Sequence, residues 1–261
     1  MDTSKILQQC LHHHIHTSGS SYPSTGSMQF QDLSPDSIHM WSVRYSSLDR
    51  YFPLLSTLVS PEEEHKAAGF KKSDDTRRYT LRQGILRVIL GQYIQEDPEK
   101  IQIVRKKSGK PDLRLDGRYS DVRFSLSHTD EMVCLGITLS CEIGLDIVKT
   151  NSCIPFPEIE HYLFTVGERR WIEQTLPEQR SLQFFRIWSL KEALLKATGS
   201  DATMMKEADV SGIITDKYLN GFYTIQLGKK DFQFFICESD CGEGHHCVIA
   251  SCRNEKINPE G

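Results

Sequence analysis

The sequence lacks any apolar run long enough to span a bilayer, and its N-terminus carries no continuous apolar core of the secretory type. Leu11 to His16 is broken by histidines. These two absences make a cytoplasmic protein without a membrane partner the expectation. A positive charge balance is missing as well: the formal net charge is −4 and the sequence pI is near 6.2. That argues against a general binder of nucleic-acid backbones, although local clusters of Lys and Arg can still hold a small polyanion. Finally, there is no C-x-x-C pair among the eight cysteines, Cys10, Cys134, Cys141, Cys153, Cys237, Cys241, Cys247 and Cys252. Several lie inside apolar runs, where a thiol behaves as a small buried hydrophobe. Cys237, Cys241, His245, His246 and Cys247 form a weaker zinc candidate, since their spacing matches no common structural pattern.

What is present is a chain of 261 residues, long enough for one large domain or two small lobes. Residues 1–36, with His12, His13, His14 and His16 followed by a Ser/Gly/Pro/Thr-rich run, read as a disordered tail that cannot repay the entropy of ordering. Two lobes are expected at 37–140 and 141–252, with a second tail at 253–261. Ser60-Pro61-Glu62-Glu63 and Thr165-Val166-Gly167-Glu168 are capping boxes that open helices. A helix from Asp74 or Asp75 to about Tyr93 follows the first, with apolar residues at helical spacing. Arg78 and Arg82 lie one turn apart on it and, with Lys66, could gather phosphate; a solvated cationic face reads equally well. Phe124 to His128, Met132 to Leu139 and Ile143 to Val148 read as strands, the last two as a hairpin turning at Ser140–Glu142. Glu178 to Thr198 reads as a long helix stopped by Gly199. Strands are expected at Val210–Thr215, Phe222–Gln226, Phe232–Cys237 and His246–Cys252. Helices and strands alternate in two similar halves, so the fold class is α+β.

Two stretches organise the rest. In Gly144 to Thr150 the strand period points Leu145 and Ile147 one way, Asp146 and Val148 the other. An Asp among apolar strand residues must face water, a partner or a metal. In Trp188 to Lys196 the residues Glu192 and Lys196 are four apart and share a helix face. Singly, such features are usually a solvated helix face or a strand end. Together they suit a hard metal and a phosphate group, because oxygen ligands hold Mg²⁺ through one or two carboxylates while a Lys covers the remaining charge.

With these pieces in order, the chain resembles the surfactin-synthetase-activator type of 4′-phosphopantetheinyl transferase. The residues carrying the resemblance are Ser60-Pro61-Glu62, Phe70, Arg78, Gly109-Lys110-Pro111, Phe124-Ser125-Leu126-Ser127-His128, Gly144-Leu145-Asp146-Ile147 and Trp188 to Lys196. The resemblance implies a fold of two similar, pseudo-twofold lobes, each a small antiparallel sheet packed with helices. It implies Mg²⁺-dependent transfer of 4′-phosphopantetheine from coenzyme A to a serine of an apo acyl or peptidyl carrier protein, releasing adenosine 3′,5′-bisphosphate. Asp146 and Glu192 would be the metal ligands, with Glu192 also the base. Lys196 would steady the pyrophosphate and the leaving group. Arg78, Lys110, Ser127 and His128, and less directly Lys66 and Lys191, would bind coenzyme A. A monomer is expected, since one chain would supply both halves of the cleft. Two departures stand out: Val148 occupies the place of a third acidic residue, and Glu63 that of a lysine found in some relatives. The first leaves open a second class of function, a coenzyme A or carrier-protein binding module that keeps the fold without the chemistry.

Overall fold

Local sequence rules set the helix starts. The Ser60 hydroxyl accepts from the Glu63 amide while the Glu63 carboxylate accepts from the Ser60 amide, and Thr165 with Glu168 repeats the arrangement. A computed structural model describes residues 6, 9–17, 33–115, 117–150 and 156–253. In order its elements are β1 (Leu11–Thr17), β2 (Ser37–Arg44), α1 (Tyr45–Leu48), α2 (Phe52–Ser56), α3 (Pro61–Ala68), α4 (Ser73–Ile94), β3 (Gln102–Arg105), β4 (Pro111–Leu115), β5 (Arg118–Tyr119), β6 (Val122–His128), β7 (Met132–Leu139), β8 (Cys141–Lys149), α5 (Phe156–Leu163), α6 (Val166–Gln174), α7 (Arg180–Thr198), β9 (Asn220–Leu227), β10 (Lys230–Asp240) and β11 (His245–Arg253). Among the described residues no helix is long and apolar enough to cross a membrane.

Two four-stranded antiparallel sheets, ordered β1-β2-β7-β6 and β8-β11-β10-β9, lie face to face, and a three-stranded β3-β4-β5 sheet adds Leu113 to the core of the first. The strand period sorts each large sheet's side chains into two cores. Trp41, Val43, Phe124, Val133 and Leu135 face α4 with Leu81, Ile85 and Ile89. On the far side, Val248, Ala250, Phe234 and Ile236 face α7 with Phe184, Leu190 and Leu194. Met40, Cys134, Leu145, Ile147, Cys247 and Ile249 fill the space between the sheets. The order is therefore helix, sheet, sheet, helix.

Three expectations change. The segment read as a disordered tail contains β1, which pairs with β2 from Leu11↔Val43 to Thr17↔Ser37 and supplies partners to an otherwise open edge; Ile6 and Cys10 are buried in the first core. Residues 18–32 and 254–261 lie outside the described residues. The hairpin expected between Met132–Leu139 and Ile143–Val148 does not form. β7 pairs with β2 and β6, β8 pairs with β11, and a one-residue turn at Ser140, with φ +62°, carries the chain from one sheet to the other. Both strands bury both faces, so each needs a layer on either side that a hairpin in a single sheet would not give. Val210 to Thr215 forms turns rather than a strand.

Close approach of α7 to β8 depends on a residue without a side chain. A Cβ at Gly144 would lie 1.8 Å from the Ala193 carbonyl oxygen and 2.4 Å from the Ala197 nitrogen. Gly199, with φ +67°, ends α7 in the left-handed conformation that favours glycine.

Candidate functional site

Strand alternation turns Asp146 out of the inter-sheet core and toward α7, where it is 6% exposed. A buried carboxylate needs compensation, and two groups are placed for it. The Lys196 ammonium donates to Asp146 Oδ1 at 2.6 Å, the Ser127 hydroxyl donates to the same oxygen at 2.8 Å, and Lys196 also donates to the Leu145 carbonyl at 3.2 Å and to Ser127 Oγ at 3.3 Å. Ser127 comes from β6, the edge of the first sheet, and Asp146 from β8, the edge of the second; the Leu145 amide donates to Ser125 Oγ at 2.9 Å and ties the two edges together. The site therefore straddles the seam between the sheets.

Glu192 stands one turn before Lys196 on α7. The ammonium is taken by Asp146 rather than by Glu192. Burial raises the Glu192 pKa above the usual carboxylate value; the Asp146 charge adds to the shift and Lys196 opposes it. Two carboxylates with one lysine between them leave uncompensated negative charge beside a half-open surface. Such an all-oxygen donor set fits a hard divalent cation. Val148, the next residue on the same strand face, packs against the apolar cluster around α7 and offers no third oxygen.

His128 ends β6 next to Ser127. Crowding by the surrounding protein, together with the positive charges of Arg82 and Lys196, lowers its pKa to about 4. The imidazole is neutral at physiological pH.

The cations divide into two groups. Arg82 acts electrostatically on His128 and on the Tyr45 hydroxyl, and its guanidinium lies 5.1 Å from the centre of the Tyr79 ring, which Lys66 also approaches at 5.3 Å. Arg82 thus neighbours His128, while Lys66 shares the Tyr79 ring with it and Arg78 lies one turn before it on α4. Arg78 is partly engaged, at 3.2 Å from Asp75 and 3.5 Å from Asp130. Arg82 is the functional candidate underweighted in the sequence; its signal was its position one turn beyond Arg78.

Lys110 and Lys191 are placed otherwise. Lys110 donates to Glu142 at 2.5 Å and to the Ala197 carbonyl at 3.0 Å, and burial lowers its pKa. It seals the C-terminal end of α7 against β8, four strand residues from Asp146. Lys191 and Glu168 form an ion pair at 2.6 Å with both side chains 0% exposed, so Lys191 presents no surface to a ligand. Glu63 is likewise structural, since it caps α3 and pairs with Arg87 at 2.9 Å. The late Cys/His set gathers only in part: Cys241 and Cys247 lie close together, whereas His246 faces Glu238 at 3.5 Å and Cys237 Sγ approaches the Glu238 carbonyl.

Comparison with known proteins bears on this geometry. Residues 142–250 match a model described as the 4′-phosphopantetheinyl transferase superfamily, and residues 43–139 match one described as 4′-phosphopantetheinyl transferase, N-terminal. Among curated proteins, the chain is 28% identical to the 4′-phosphopantetheinyl transferase HetI of a Nostoc species over 69% of this chain and 76% of that protein. It is 25% identical to the 4′-phosphopantetheinyl transferase gsp of Aneurinibacillus migulanus over 82% and 85%. It is 28% identical to the L-aminoadipate-semialdehyde dehydrogenase-phosphopantetheinyl transferase of Mus musculus over 74% and 66%. The two matched segments adjoin at the point where the chain passes from the first sheet to the second.

Proposed function

From the premise that the chain belongs to the 4′-phosphopantetheinyl transferase superfamily and is an enzyme of that class, we propose that it transfers the 4′-phosphopantetheine arm of coenzyme A to a serine hydroxyl of an apo acyl or peptidyl carrier protein. In the reaction the serine oxygen bonds to the β-phosphorus of coenzyme A, the pyrophosphate P–O bond breaks, and adenosine 3′,5′-bisphosphate leaves. The observation that carries the reading is the Asp146–Lys196–Ser127 cluster with Glu192 one turn away.

Each residue has a task that its position supports. Glu192, with its raised pKa, takes the serine proton. Lys196 reaches both Asp146 and Ser127, so its ammonium is positioned to follow charge as it moves onto the leaving phosphate. Neutral His128 donates one ring N–H to a phosphate oxygen without bringing a second positive charge beside Lys196. Arg82, with Lys66 and Arg78 behind it, binds the nucleotide phosphates. Asp146 and Glu192 would hold Mg²⁺, which when bound neutralises pyrophosphate charge. Lys110 and Lys191, expected from the resemblance to touch coenzyme A, hold the lobes and helix instead. We place the enzyme in the cytoplasm as a monomer, acting on proteins rather than nucleic acid or membrane, in keeping with its acidic charge balance.

The test is the mass of an apo carrier protein after incubation with the chain, coenzyme A and Mg²⁺. The carrier gains the phosphopantetheine arm, and EDTA prevents the gain. Val148 motivates a second reading, a binder of coenzyme A without turnover. Protein that binds coenzyme A yet modifies no carrier from fatty-acid, polyketide or peptide pathways would establish that reading and end the first.

A further inference from the structure

Between the two sheets, behind the site just described, the sulfurs of Cys134, Cys241 and Cys247 all lie within 4.8 Å of one another. Cys134 belongs to β7 in the first sheet. Cys247 belongs to β11 in the second, and Cys241 to the turn joining β10 to β11. They are far apart in sequence, so only the fold assembles them. A fourth sulfur completes the group: Met40 Sδ, from β2, is 3.8 Å from Cys247 Sγ. Cys134, Cys247 and Met40 are all 0% exposed, and Cys241 is partly exposed at the rim.

We propose that Cys134, Cys241 and Cys247 form a binding site for a soft, thiophilic cation, Zn²⁺ or Cu⁺, with the Met40 thioether beside it. A cation about 2.3 Å from each of its sulfur ligands in a tetrahedral site holds those sulfurs roughly 3.8 Å apart. The Met40–Cys247 pair already has that separation, and the three thiols need only close slightly. The surroundings are apolar, with Met132, Leu145, Ile147 and Ile249 in the same cluster. The donor set is all sulfur, the chemistry that selects zinc and monovalent copper over the hard cations that carboxylates prefer. On binding, the thiols release their protons to solvent. Three converging thiols with a thioether suit a cation better than a disulfide, which would join two of them and leave the third unused.

The site has a mechanical consequence. Its ligands come from both sheets, so a bound cation pins the two together. Cys134 is the register partner of Ser127, and Cys247 that of Ile147, next to Asp146. The clamp therefore lies one strand behind the seam on which the proposed catalytic groups meet. This inference stands on the sulfur geometry alone and does not require the transfer reaction.

The experiment uses the full chain, purified without an affinity tag and with His12, His13, His14 and His16 replaced by alanine so that the N-terminal histidines hold no metal. Elemental analysis is made on the protein as purified and after reconstitution, under reducing conditions, with Zn²⁺ in one arm and Cu⁺ in the other. The expected result is close to one zinc or copper ion per chain, with a raised melting temperature when loaded. Cys241→Ser, chosen because the side chain sits at the partly exposed rim where a hydroxyl meets solvent, weakens retention by at least about tenfold. Cys134→Val, which keeps the packing volume, does the same. Three outcomes overturn the proposal: no ion retained in either arm, equal retention by Cys241→Ser, or a peptide map of the native protein that shows a disulfide joining two of Cys134, Cys241 and Cys247.

Discussion

The Lys196 ammonium lies 2.6 Å from Asp146 Oδ1, although Glu192, one helical turn away, is its neighbour in sequence. The lysine thus joins the two sheets' contributions through a contact across the seam, rather than stabilising its own helix. Lys196→Ala leaves Asp146 and Glu192 facing each other without a cation. The expected outcome is a fall in turnover of roughly 10²–10³, the size typical of losing one group that stabilises developing charge. The melting temperature should also fall, because the Asp146 side chain, 8% exposed, is left with the Ser127 hydroxyl in place of an ammonium. Steady-state kinetics beside a thermal melt checks both parts.

Glu192 is held above the ordinary carboxylate pKa by burial, with Asp146 adding to the shift. A base must be unprotonated, so turnover rises with pH as Glu192 loses its proton; burial moves this acid limb up, and a cation held by Asp146 and Glu192 would move it down. Glu192→Gln removes the limb and lowers turnover by roughly 10²–10⁴. A pH–rate profile for Glu192→Gln that keeps the wild-type acid limb would assign the base elsewhere.

Much of this was legible locally. Ser60 with Glu63 and Thr165 with Glu168 announce their helices because each capping box is complete within four residues. The alternation in β8 already turned Asp146 and Val148 away from Leu145 and Ile147. Strand partnership was not legible. β8 pairs with β11, so Asp146 lies opposite Val248, and nothing within one strand's pattern names a partner a hundred residues away. The cations failed for the same reason. Lys110, Lys191 and Lys196 look alike in sequence, and only the fold reveals that Glu142, Glu168 and Asp146 claim them respectively.

That division predicts different phenotypes for lysines and arginines. Arg82→Ala, at the rim with Lys66 around Tyr79, raises KM for coenzyme A by about tenfold, the loss of about 1.4 kcal/mol that fits one charge-assisted contact. Arg78→Ala has a smaller effect, since Asp75 and Asp130 already engage that guanidinium. Lys110→Ala removes one of three cations around Glu142, with Lys106 and Arg123 remaining, and strips the Ala197 carbonyl of its donor, so it lowers stability with KM nearly unchanged. Urea midpoints and coenzyme A saturation curves on the three variants separate the roles.

His39 gives the fold an acid limit remote from the site. It is 2% exposed, its Nδ1 is 2.8 Å from the Tyr93 hydroxyl, and burial lowers its pKa from 6.5 to about 4. The folded state therefore disfavours the protonated ring. Its contribution is intact above the unfolded value of 6.5 and is lost as pH falls from there toward about 4. At about 1.4 kcal/mol per pH unit, the loss is on the order of 3 kcal/mol by the lower end of that window. His39→Gln, which keeps a polar partner for Tyr93, loses less stability than the wild type between pH 6.5 and 4.5 in urea unfolding. Equal losses in the two proteins would place the acid sensitivity in other groups.

The contact between Gly144 and α7 sets how far Glu192 and Lys196 stand from Asp146. A Cβ at this position would meet the Ala193 carbonyl oxygen at 1.8 Å and the Ala197 nitrogen at 2.4 Å. Both atoms are backbone, so no rotamer change relieves the clash. The helix or the strand must shift. Gly144→Ala is therefore expected to cost at least about 1–3 kcal/mol of stability, the range for overpacking a well-filled interior. It should also lower turnover at temperatures where the variant remains folded, because Ala193 and Ala197 flank the turn that carries Lys196, and Glu192 moves with them. Gly136→Ala is the control: its Cβ would meet the Ile143 Cδ1 atom at 2.9 Å, a side-chain end that can rotate away. If Gly144→Ala stayed fully active once folded, the spacing of α7 from β8 would not set the site's geometry, and Lys196 would have to reach Asp146 by its own flexibility.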